Sequence, residues 1–389
     1  MGLLSYVSPY HLVFLAIGYF ALKFAHNAIQ RQTTRRRFER EFGCKPLTHV
    51  HGKDPIFGLD VMRETLRASK EHKLLTTIQS HLPLYGCTYR TRLFTTPVIR
   101  TFEPENIKAV LSTRFKDFSL GLRQDAMGPL LGHGIFTADG DHWVESRAMI
   151  RPNFAKDQVA ELELFEDLIP DLFALIPRDG STVDLQELFF SYTIDTATDF
   201  LFGSSVQTLK KKGQGDNADN KFAKAFGYAQ DACWLRFRMG ALSKFYSDRK
   251  GDESNKYCQD FVYRYVEDAM AYRQTVDLTK DGKEEGSKKS KYLFLQELAR
   301  HTTDKERLRD ELLNVLLAGR DTTASLLSNL FFMLARKPDV WAKLRKEIAA
   351  LEGRLPSYEE LRNMKYLKYC LNECKFTIFT PLEISKYQS

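Results

Sequence analysis

Apolar residues recur at helical spacing along most of the chain, whereas strand-forming residues cluster in one short region. That region, residues 86–102, is broken by Thr95-Thr96-Pro97 and predicts a short hairpin. Residues 103–113 follow with helical spacing and with acids in the first turn. We therefore predict a mainly α-helical fold with a small β subdomain near the front. The other predicted helices cover residues 155–177, 185–202, 221–247 and 254–273.

Three polar stretches interrupt the helical pattern. Residues 43–55 (GCKPLTHVHGKDP) are rich in Gly, Pro and His and predict a connector. Residues 210–220 and 279–291 lack apolar periodicity and carry many charges, which predicts two surface loops.

The longest predicted helix begins near Thr303, because Glu306 three residues later completes the pattern of a capping box. Apolar spacing continues to Ala335, and Arg336-Lys337-Pro338 then supplies C-terminal charge and a stop. About 32 residues with a rise of 1.5 Å each give a helix of roughly 48 Å, long enough to cross a whole domain.

A polar break lies at the middle of this helix, where residues 318–323 read AGRDTT. Gly319 lacks a Cβ, so a flat or bulky ligand can approach the backbone there. Thr322 can bond back to the carbonyl of Ala318 and bend the helix, and Asp321 can gate protons into the resulting gap. The alternative is a solvent-facing turn with Asp321 and the threonines outward, since exposed polar residues are common on amphipathic helices. The residues alone leave both interpretations open.

A second motif lies in residues 138–154 (ADGDHWVESRAMIRPNF). Asp141 can cap a short helix that Pro152 ends. Trp143 and Arg147 are four residues apart and therefore share a face of that helix. Together they offer an indole donor and a guanidinium to a ligand that bears a carboxylate. The alternative is packing of the two side chains on each other with a cation–π contact.

The N-terminal segment predicts a membrane anchor. No acid, lysine or arginine occurs from Gly2 to Leu22, and about 20 such residues can cross a bilayer. Residues 31–40 then carry five arginines, which places the following chain on the cytosolic side. A cleaved signal peptide is the alternative, but a basic n-region and a small-residue cleavage site are lacking. We predict a single-pass anchor over residues 1–24 and a linker over residues 25–55.

Charge and cysteine content exclude several classes of protein. The chain of 389 residues has a net charge of +7, but its basic residues are spread out apart from the N-terminal cluster, so we predict no nucleic-acid partner. Six scattered cysteines without a CxxC pair fit a reducing compartment better than a disulfide framework. Cys370 and Cys374 would share a helix face, and without a nearby histidine they predict buried thiols and no metal site.

Taken together, the N-terminal segment, WVESR (143–147) and AGRDTT (318–323) resemble a microsomal cytochrome P450, a haem-thiolate monooxygenase. The resemblance implies a cytochrome P450-like α-helical fold with haem as the cofactor. It also implies that Trp143 and Arg147 contact a haem propionate.

The same resemblance assigns roles to the polar break. Ala318 and Gly319 would lie against the distal face of the haem, which the long helix crosses. Asp321 and Thr322 would form the acid–alcohol pair that delivers protons to bound dioxygen. These four roles are implied by the resemblance and not by helical spacing.

Four segments (FGCKP, KDPIFGLD, LGHGIFTADGDHW and LLNVLLAGRDTTASLL) resemble one fungal branch of this family, the alkane and fatty-acid ω-hydroxylases. This resemblance implies an apolar small-molecule substrate, either a fatty acid or an n-alkane. It also implies electrons from an NADPH-dependent reductase, contact with membrane lipid and location at the endoplasmic reticulum membrane with the main domain cytosolic. Part of the substrate pocket would come from the segment between Phe118 and Phe136.

The chain departs from the family pattern after Glu373. The family motif ExxR requires an arginine three residues later, where this sequence has Phe376. None of the six cysteines stands in the family's ligand motif FxxGxRxCxG. We therefore expect residues 56–373 to form a truncated domain, followed by a tail over residues 374–389. The chain is then expected not to bind haem tightly and to be inactive. The alternatives are a non-catalytic membrane-tethered remnant and an unstable product.

Overall fold

Helices dominate the computed structural model, as the apolar spacing predicts. The structure describes residues 9–50, 54, 58–71, 73–93, 96–154, 162–214, 221–279 and 294–374. Its N-terminal part contains α1 (Pro9–Phe42), β1 (Thr48–His49), α2 (Leu59–Lys70), α3 (Leu74–Ser80), α4 (Leu82–Tyr85), β2 (Thr88–Leu93) and β3 (Thr96–Thr101).

Within the described residues, these strands form one sheet in the order β1-β2-β3. β1 runs parallel to β2, and β2 pairs antiparallel with β3, with Thr91 opposite Val98. The hairpin predicted between residues 86 and 102 is therefore confirmed. Tyr89 is completely buried beneath the sheet and anchors it to the helices before it.

The remaining described chain is helical. After α5 (Pro104–Lys108), the chain continues through a π-helical turn, Ala109–Thr113, and a short 3-10 turn, Phe115–Asp117. The first helices that follow are α6 (Arg123–Leu131), α7 (Gly140–Ile150), α8 (Glu163–Glu166), α9 (Ile169–Ala174) and α10 (Leu185–Phe202). They are followed by α11 (Thr208–Gly213), α12 (Lys221–Met239), α13 (Arg249–Thr279), α14 (Phe294–His301) and α15 (Lys305–Arg336). The last three are α16 (Pro338–Ala349), α17 (Tyr358–Asn363) and α18 (Lys365–Cys374).

Several predicted boundaries are wrong. The helix predicted over residues 221–247 ends at Met239 and a 3-10 helix follows, and the helix predicted over residues 254–273 extends over Arg249–Thr279. The helix predicted over residues 155–177 is broken: residues 155–161 lie outside the described part, and the rest forms α8 and α9, with Pro170 near the start of α9. The loop predicted over residues 210–220 is helical up to Gly213. A tertiary contact explains this helix, because buried Asp195 on α10 accepts hydrogen bonds from the first backbone N–H groups of α11.

The long helix α15 spans 32 residues, as predicted, but its N-cap differs. Asp304, not Thr303, accepts hydrogen bonds from the backbone N–H groups of Glu306 and Arg307, at 3.0 and 3.1 Å. Asp and Thr are both good N-cap residues, so adjacent candidates compete and the sequence alone does not decide between them. The predicted N-cap of α7 is wrong in the same way. Asp139 occupies the N-cap position, and Asp141, the predicted cap, lies in the first turn.

Helix α15 lies at the centre of the packing. Its N-terminal half buries Leu308, Leu312 and Leu316 in the main core with α6, α10, α12, α13 and α14. Ala324 belongs to a second cluster with α9, α10 and α11. Leu330 packs in a third cluster that includes the buried thiols of α18. One helix therefore connects all three clusters, and the polar break lies between the first and the second.

The predicted membrane-spanning helix is not supported. Among the residues that the structure describes, no helix combines the length and the apolar character needed to cross a bilayer. The described part of the predicted span runs from Pro9 to Leu22. Beyond it, α1 continues through the predicted boundary at residue 24 into the arginine-rich stretch and ends at Phe42. Residues 1–8 lie outside the described residues.

Candidate functional site

The polar break of α15 has an exposed threonine face. The Thr322 hydroxyl donates a hydrogen bond to the carbonyl oxygen of Ala318, at 2.8 Å, which confirms the predicted back bond. Thr322 and Thr323 are exposed. Helix α15 continues without interruption through this point, so the hydroxyl is fixed without a break in the helix.

Asp321 points to a different side of α15, toward α12. Its Oδ2 accepts a hydrogen bond from Gln230 Nε2 at 2.9 Å, and its Oδ1 lies 3.4 Å from Arg320 Nη1. Arg320 in turn donates to Gln230 Oε1 at 2.5 Å. The three side chains form a closed triangle, in which the amide of Gln230 donates to the acid and accepts from the base. The solvent-facing alternative therefore holds for the threonines but not for Asp321.

Burial explains why this triangle is needed. The Arg320 side chain is only 14% exposed, and its guanidinium lies over the rings of Phe190 and Phe226, 5.2 and 5.7 Å from their centroids. Burial lowers the pKa of Arg320, and the negative charges of Asp321 and Asp231 oppose that shift. A buried cation without a partner is costly, so Asp321 serves Arg320 as its counterion.

Gly319 is a helix contact as well as part of the polar break. A Cβ at this position would lie 3.7 Å from the Cβ of Ala197 on α10, an ordinary van der Waals distance. The glycine is nevertheless exposed on its other side, next to Thr322 and Thr323. The structure therefore brings Ala318, Gly319 and the two threonines together on one accessible surface.

Trp143 and Arg147 share a face of α7, as their spacing predicts. The guanidinium lies 5.5 Å from the centroid of the indole, and Phe115 packs on the indole at 4.9 Å. Arg147 is exposed, and within the described part of the chain it forms no ion pair. The cation–π contact is present, and the guanidinium remains accessible to an anion. These two residues do not contact Thr322 or Asp321.

The opposite side of α7 is attached to α15. Glu145 Oε2 accepts an ion-pair hydrogen bond from Arg307 Nη1 at 2.9 Å. Ser146 is fully buried beside Glu311. The helix that carries Trp143 is therefore fixed to α15 near the N-terminal end of α15, roughly 16–22 Å along the axis from Thr322.

Sequence analysis missed a set of polar contacts between α15 and the loop that joins α6 to α7. Asp310 Oδ2 accepts from the backbone N–H of His133 at 2.7 Å, and Glu311 Oε2 accepts from that of Ile135 at 3.0 Å. Asn314 Oδ1 accepts from the N–H of Phe136 at 2.9 Å, and its Nδ2 donates to the carbonyl oxygen of Leu131 at the end of α6. The available signal was the run DELLN, which places polar residues among leucines that the helical period buries.

The two residues predicted to line the substrate pocket, Phe118 and Phe136, lie in different surroundings. Phe118 is 50% exposed and follows the short 3-10 turn, Phe115–Asp117. Phe136 is half-buried, and its backbone N–H is held by Asn314. Of these two residues, Phe136 is the one that the described structure joins to α15 by a hydrogen bond.

Burial raises the pKa of Glu311 above its ordinary value of 4.5, and it also raises that of Asp310. A raised folded-state pKa means that the folded chain binds more protons than the unfolded chain between the two values. We expect the free energy of unfolding to fall as pH rises above 4.5 through the raised pKa of Glu311. Urea denaturation at several pH values between 5 and 8 measures this dependence. The free energy of unfolding of Glu311→Gln should fall less steeply with pH than that of the wild type.

The matched control for this prediction is Glu360→Gln. Glu360 has its pKa lowered to about 2, chiefly by its hydrogen bond from Arg354, so it is already ionised throughout the measured range. Its replacement should leave the slope unchanged. An equal slope in the wild type and Glu311→Gln would show that Glu311 does not titrate differently on folding.

Comparison with known proteins places the chain in one family. The family Cytochrome P450 matches residues 55–374. The cytochrome P450 monooxygenase himC of Aspergillus japonicus is 48% identical over 334 residues, which cover 85% of this chain and 59% of that protein. The cytochrome P450 monooxygenase fsdH of Fusarium heterosporum is 44% identical, over 89% of this chain and 62% of its own length. Cytochrome P450 52A9 of Candida maltosa is 42% identical, over 87% and 67%. The chain spans about three fifths of the length of the first two relatives.

Proposed function

Because the chain belongs to the cytochrome P450 family, we propose that it forms the distal side of a haem monooxygenase, with α15 crossing over the cofactor. The observation that supports this most strongly is the Thr322 hydroxyl, fixed by Ala318 on an exposed face, with Asp321 held on the neighbouring face by Gln230. This arrangement places an alcohol at a ligand surface and an acid one residue away, the combination needed to pass protons inward.

The residues of the structure fit haem on two counts. The surface of Ala318, Gly319 and Thr322 is accessible and has small side chains, which suits a flat ligand. The exposed guanidinium of Arg147 is free for a propionate.

Four of the six cysteines are buried. Burial raises the pKa of both Cys233 and Cys258 to about 12, so these thiols stay protonated at neutral pH. Burial also raises the pKa of Cys370 and of Cys374. These four thiols therefore have no role in the proposal as ligands of the iron.

When bound, haem supplies the activation of dioxygen, and the protein manages protons and position. The Thr322 hydroxyl uses its hydrogen toward Ala318, so its oxygen can accept a hydrogen bond from a ligand on the exposed face. Rotation of the same hydroxyl would let it donate. Gln230 and Arg320 hold the Asp321 carboxylate on the neighbouring face. A carboxylate that takes up a proton there and then turns away from Gln230 would pass that proton toward Thr322.

The substrate class, the electron donor and the location are part of this proposal. The four segments shared with fungal ω-hydroxylases support a fatty acid or an n-alkane, hydroxylated with electrons from an NADPH-dependent reductase. Association with the endoplasmic reticulum membrane is supported by the exposed apolar side chains of α1, among them Leu15, Leu22 and Phe24. The arginines that follow them favour a cytosolic main domain.

The second candidate is a non-catalytic, membrane-tethered protein that binds lipid or a partner. The burial of Cys233 and Cys258 favours it, because thiols that lie inside the core are not accessible to a haem iron. This second candidate predicts that no preparation of the protein contains haem.

A haemin titration of the purified chain separates the two candidates. The monooxygenase proposal predicts saturable binding. Arg147→Ala should weaken it by roughly tenfold to a hundredfold, since a charge-assisted hydrogen bond contributes about 1.5–3 kcal/mol. Arg249→Ala, at a fully accessible arginine on α13, is the control and should leave the affinity unchanged. Equal affinities for wild type and Arg147→Ala would remove Arg147 from the site, and the absence of saturable binding would favour the second candidate.

A further inference from the structure

We propose that Asp310, Glu311 and Asn314 are positioning residues that fix the loop between α6 and α7, and with it Phe136, against α15. The three side chains project from adjacent turns of one helix and accept hydrogen bonds from the N–H groups of residues 133, 135 and 136. The part of the inference that concerns substrate rests on the proposed function, whereas the structural part does not.

Burial makes these contacts specific. Glu311 and Asn314 have no exposed surface, and Asp310 has only 6%. A buried backbone N–H that loses its acceptor is not compensated by water, so separation of this loop from α15 is more costly than separation of a solvated loop would be. Arg309 neutralises part of the charge by donating to Asp310 Oδ1 at 2.6 Å.

Asn314 has a role that an acid cannot fill. Its Oδ1 accepts from the N–H of Phe136, while its Nδ2 donates to the carbonyl oxygens of Leu131 and Asp310, at 2.9 and 2.7 Å. A carboxylate has the acceptors but neither donor. Asn314 therefore connects the end of α6, the loop and the backbone of α15 through one side chain.

Two glycines let the loop approach this closely. A Cβ on Gly132, which has φ +62°, would lie 2.0 Å from the Asp310 carboxyl carbon. A Cβ on Gly134 would lie 2.3 Å from Asn314 Nδ2. A Cβ essentially never lies this close to another heavy atom. Residues larger than glycine at these two positions would therefore overlap with Asp310 and Asn314, the side chains that hold the loop.

The position of these contacts gives them a functional consequence. Asn314 lies two turns, about 12 Å, before Thr322 on the same helix. The backbone of Phe136 is therefore held at a fixed distance from the exposed threonine face. A substrate bound between Phe136 and the exposed threonine face would therefore contact a loop whose position is fixed by α15.

Hydrogen–deuterium exchange of the 389-residue chain tests the structural part. Asn314→Asp keeps the oxygen that accepts from Phe136 but loses the donor to the Leu131 carbonyl, so the loop should open more easily. Exchange at Phe136 should then accelerate by about tenfold, because a lost bond of about 1.4 kcal/mol corresponds to a factor of ten. Asp195→Asn is the matched control, since Asp195 also accepts two backbone N–H bonds while fully buried. It should accelerate exchange at residues 208 and 209 and leave residue 136 unchanged. Unchanged exchange at Phe136 in Asn314→Asp would overturn the proposal.

A second pair of variants covers the case in which Asn314→Asp does not fold. Glu311→Gln keeps an oxygen that accepts from Ile135 and should retain slow exchange there, whereas Glu311→Leu should lose it by about tenfold or more. Equal exchange at Ile135 in these two variants would contradict the assignment of Glu311.

The functional arm measures how a fatty acid is divided among hydroxylated positions. A positioning role predicts that Asn314→Asp changes this distribution, while Asp195→Asn changes only the amount of folded protein. An unchanged distribution would overturn the link between the loop and the substrate. If the wild type forms no product although exchange responds as expected, the proposed function fails and the structural assignment stands.

Discussion

Replacing Thr322 by alanine is expected to lower the fraction of consumed oxygen that appears in product by at least about tenfold. Positioned proton donors and acceptors contribute roughly 10²–10⁴-fold to reaction rates, and this variant removes the one hydroxyl that is fixed on the exposed face of α15. Product quantified by mass spectrometry against oxygen uptake measures the effect directly.

Two variants make the Thr322 prediction specific. Thr322→Ser keeps the hydroxyl and should restore most of the coupling. Thr323→Ala removes the neighbouring exposed hydroxyl and should leave the ratio of product to oxygen unchanged. If Thr322→Ala couples oxygen to product as well as the wild type does, Thr322 has no part in proton delivery.

Gly132→Ala should lower the free energy of unfolding by about 2–6 kcal/mol. The residue has φ +62° and ψ −142°, close to a region that is essentially restricted to glycine and costs other residues roughly 1–3 kcal/mol. The new Cβ would also lie 2.0 Å from the Asp310 carboxyl carbon. Overpacking of this kind adds about 1–3 kcal/mol. Urea denaturation followed by circular dichroism measures the change.

Gly121→Ala separates the two causes of that loss. Gly121 has φ +58°, and no atom lies within 4 Å of the position that a Cβ would take, so this variant should cost only the conformational part, about 1–2 kcal/mol. Combining Gly132→Ala with Asp310→Ala should cost less than the sum of the two single variants, because the second change removes the overlap. Equal effects for Gly132→Ala and Gly121→Ala would mean that the loop moves away from α15 without loss.

The sequence predicted the features that depend on local pattern. The hairpin follows from strand-forming residues around Thr95-Thr96-Pro97, and α15 follows from apolar spacing bounded by a cap and by Pro338. The bond from Thr322 to Ala318 was predictable because it joins residues four apart on one helix. The family resemblance drawn from WVESR and AGRDTT is confirmed.

Contacts between distant parts of the chain were not predictable. Nothing local to Asp321 shows that Gln230, 91 residues away, holds it, or that Arg320 lies between two aromatic rings. Likewise, Asn314 meets Phe136 across 178 residues. A buried acid or amide is visible in the sequence as a departure from helical patterning, but the partner that makes its burial tolerable is known only once the helices are packed.

Isotopic labelling of the product tests the central claim most directly. Cells that express the gene together with an NADPH-dependent reductase would be given a fatty acid under oxygen-18 gas, and the hydroxylated product analysed by mass spectrometry. A monooxygenase that uses the Thr322 face predicts one oxygen-18 atom in each product molecule, with the yield per oxygen consumed reduced in Thr322→Ala. Haem bound to the isolated protein without any labelled product, or a label that comes from water, would contradict the account.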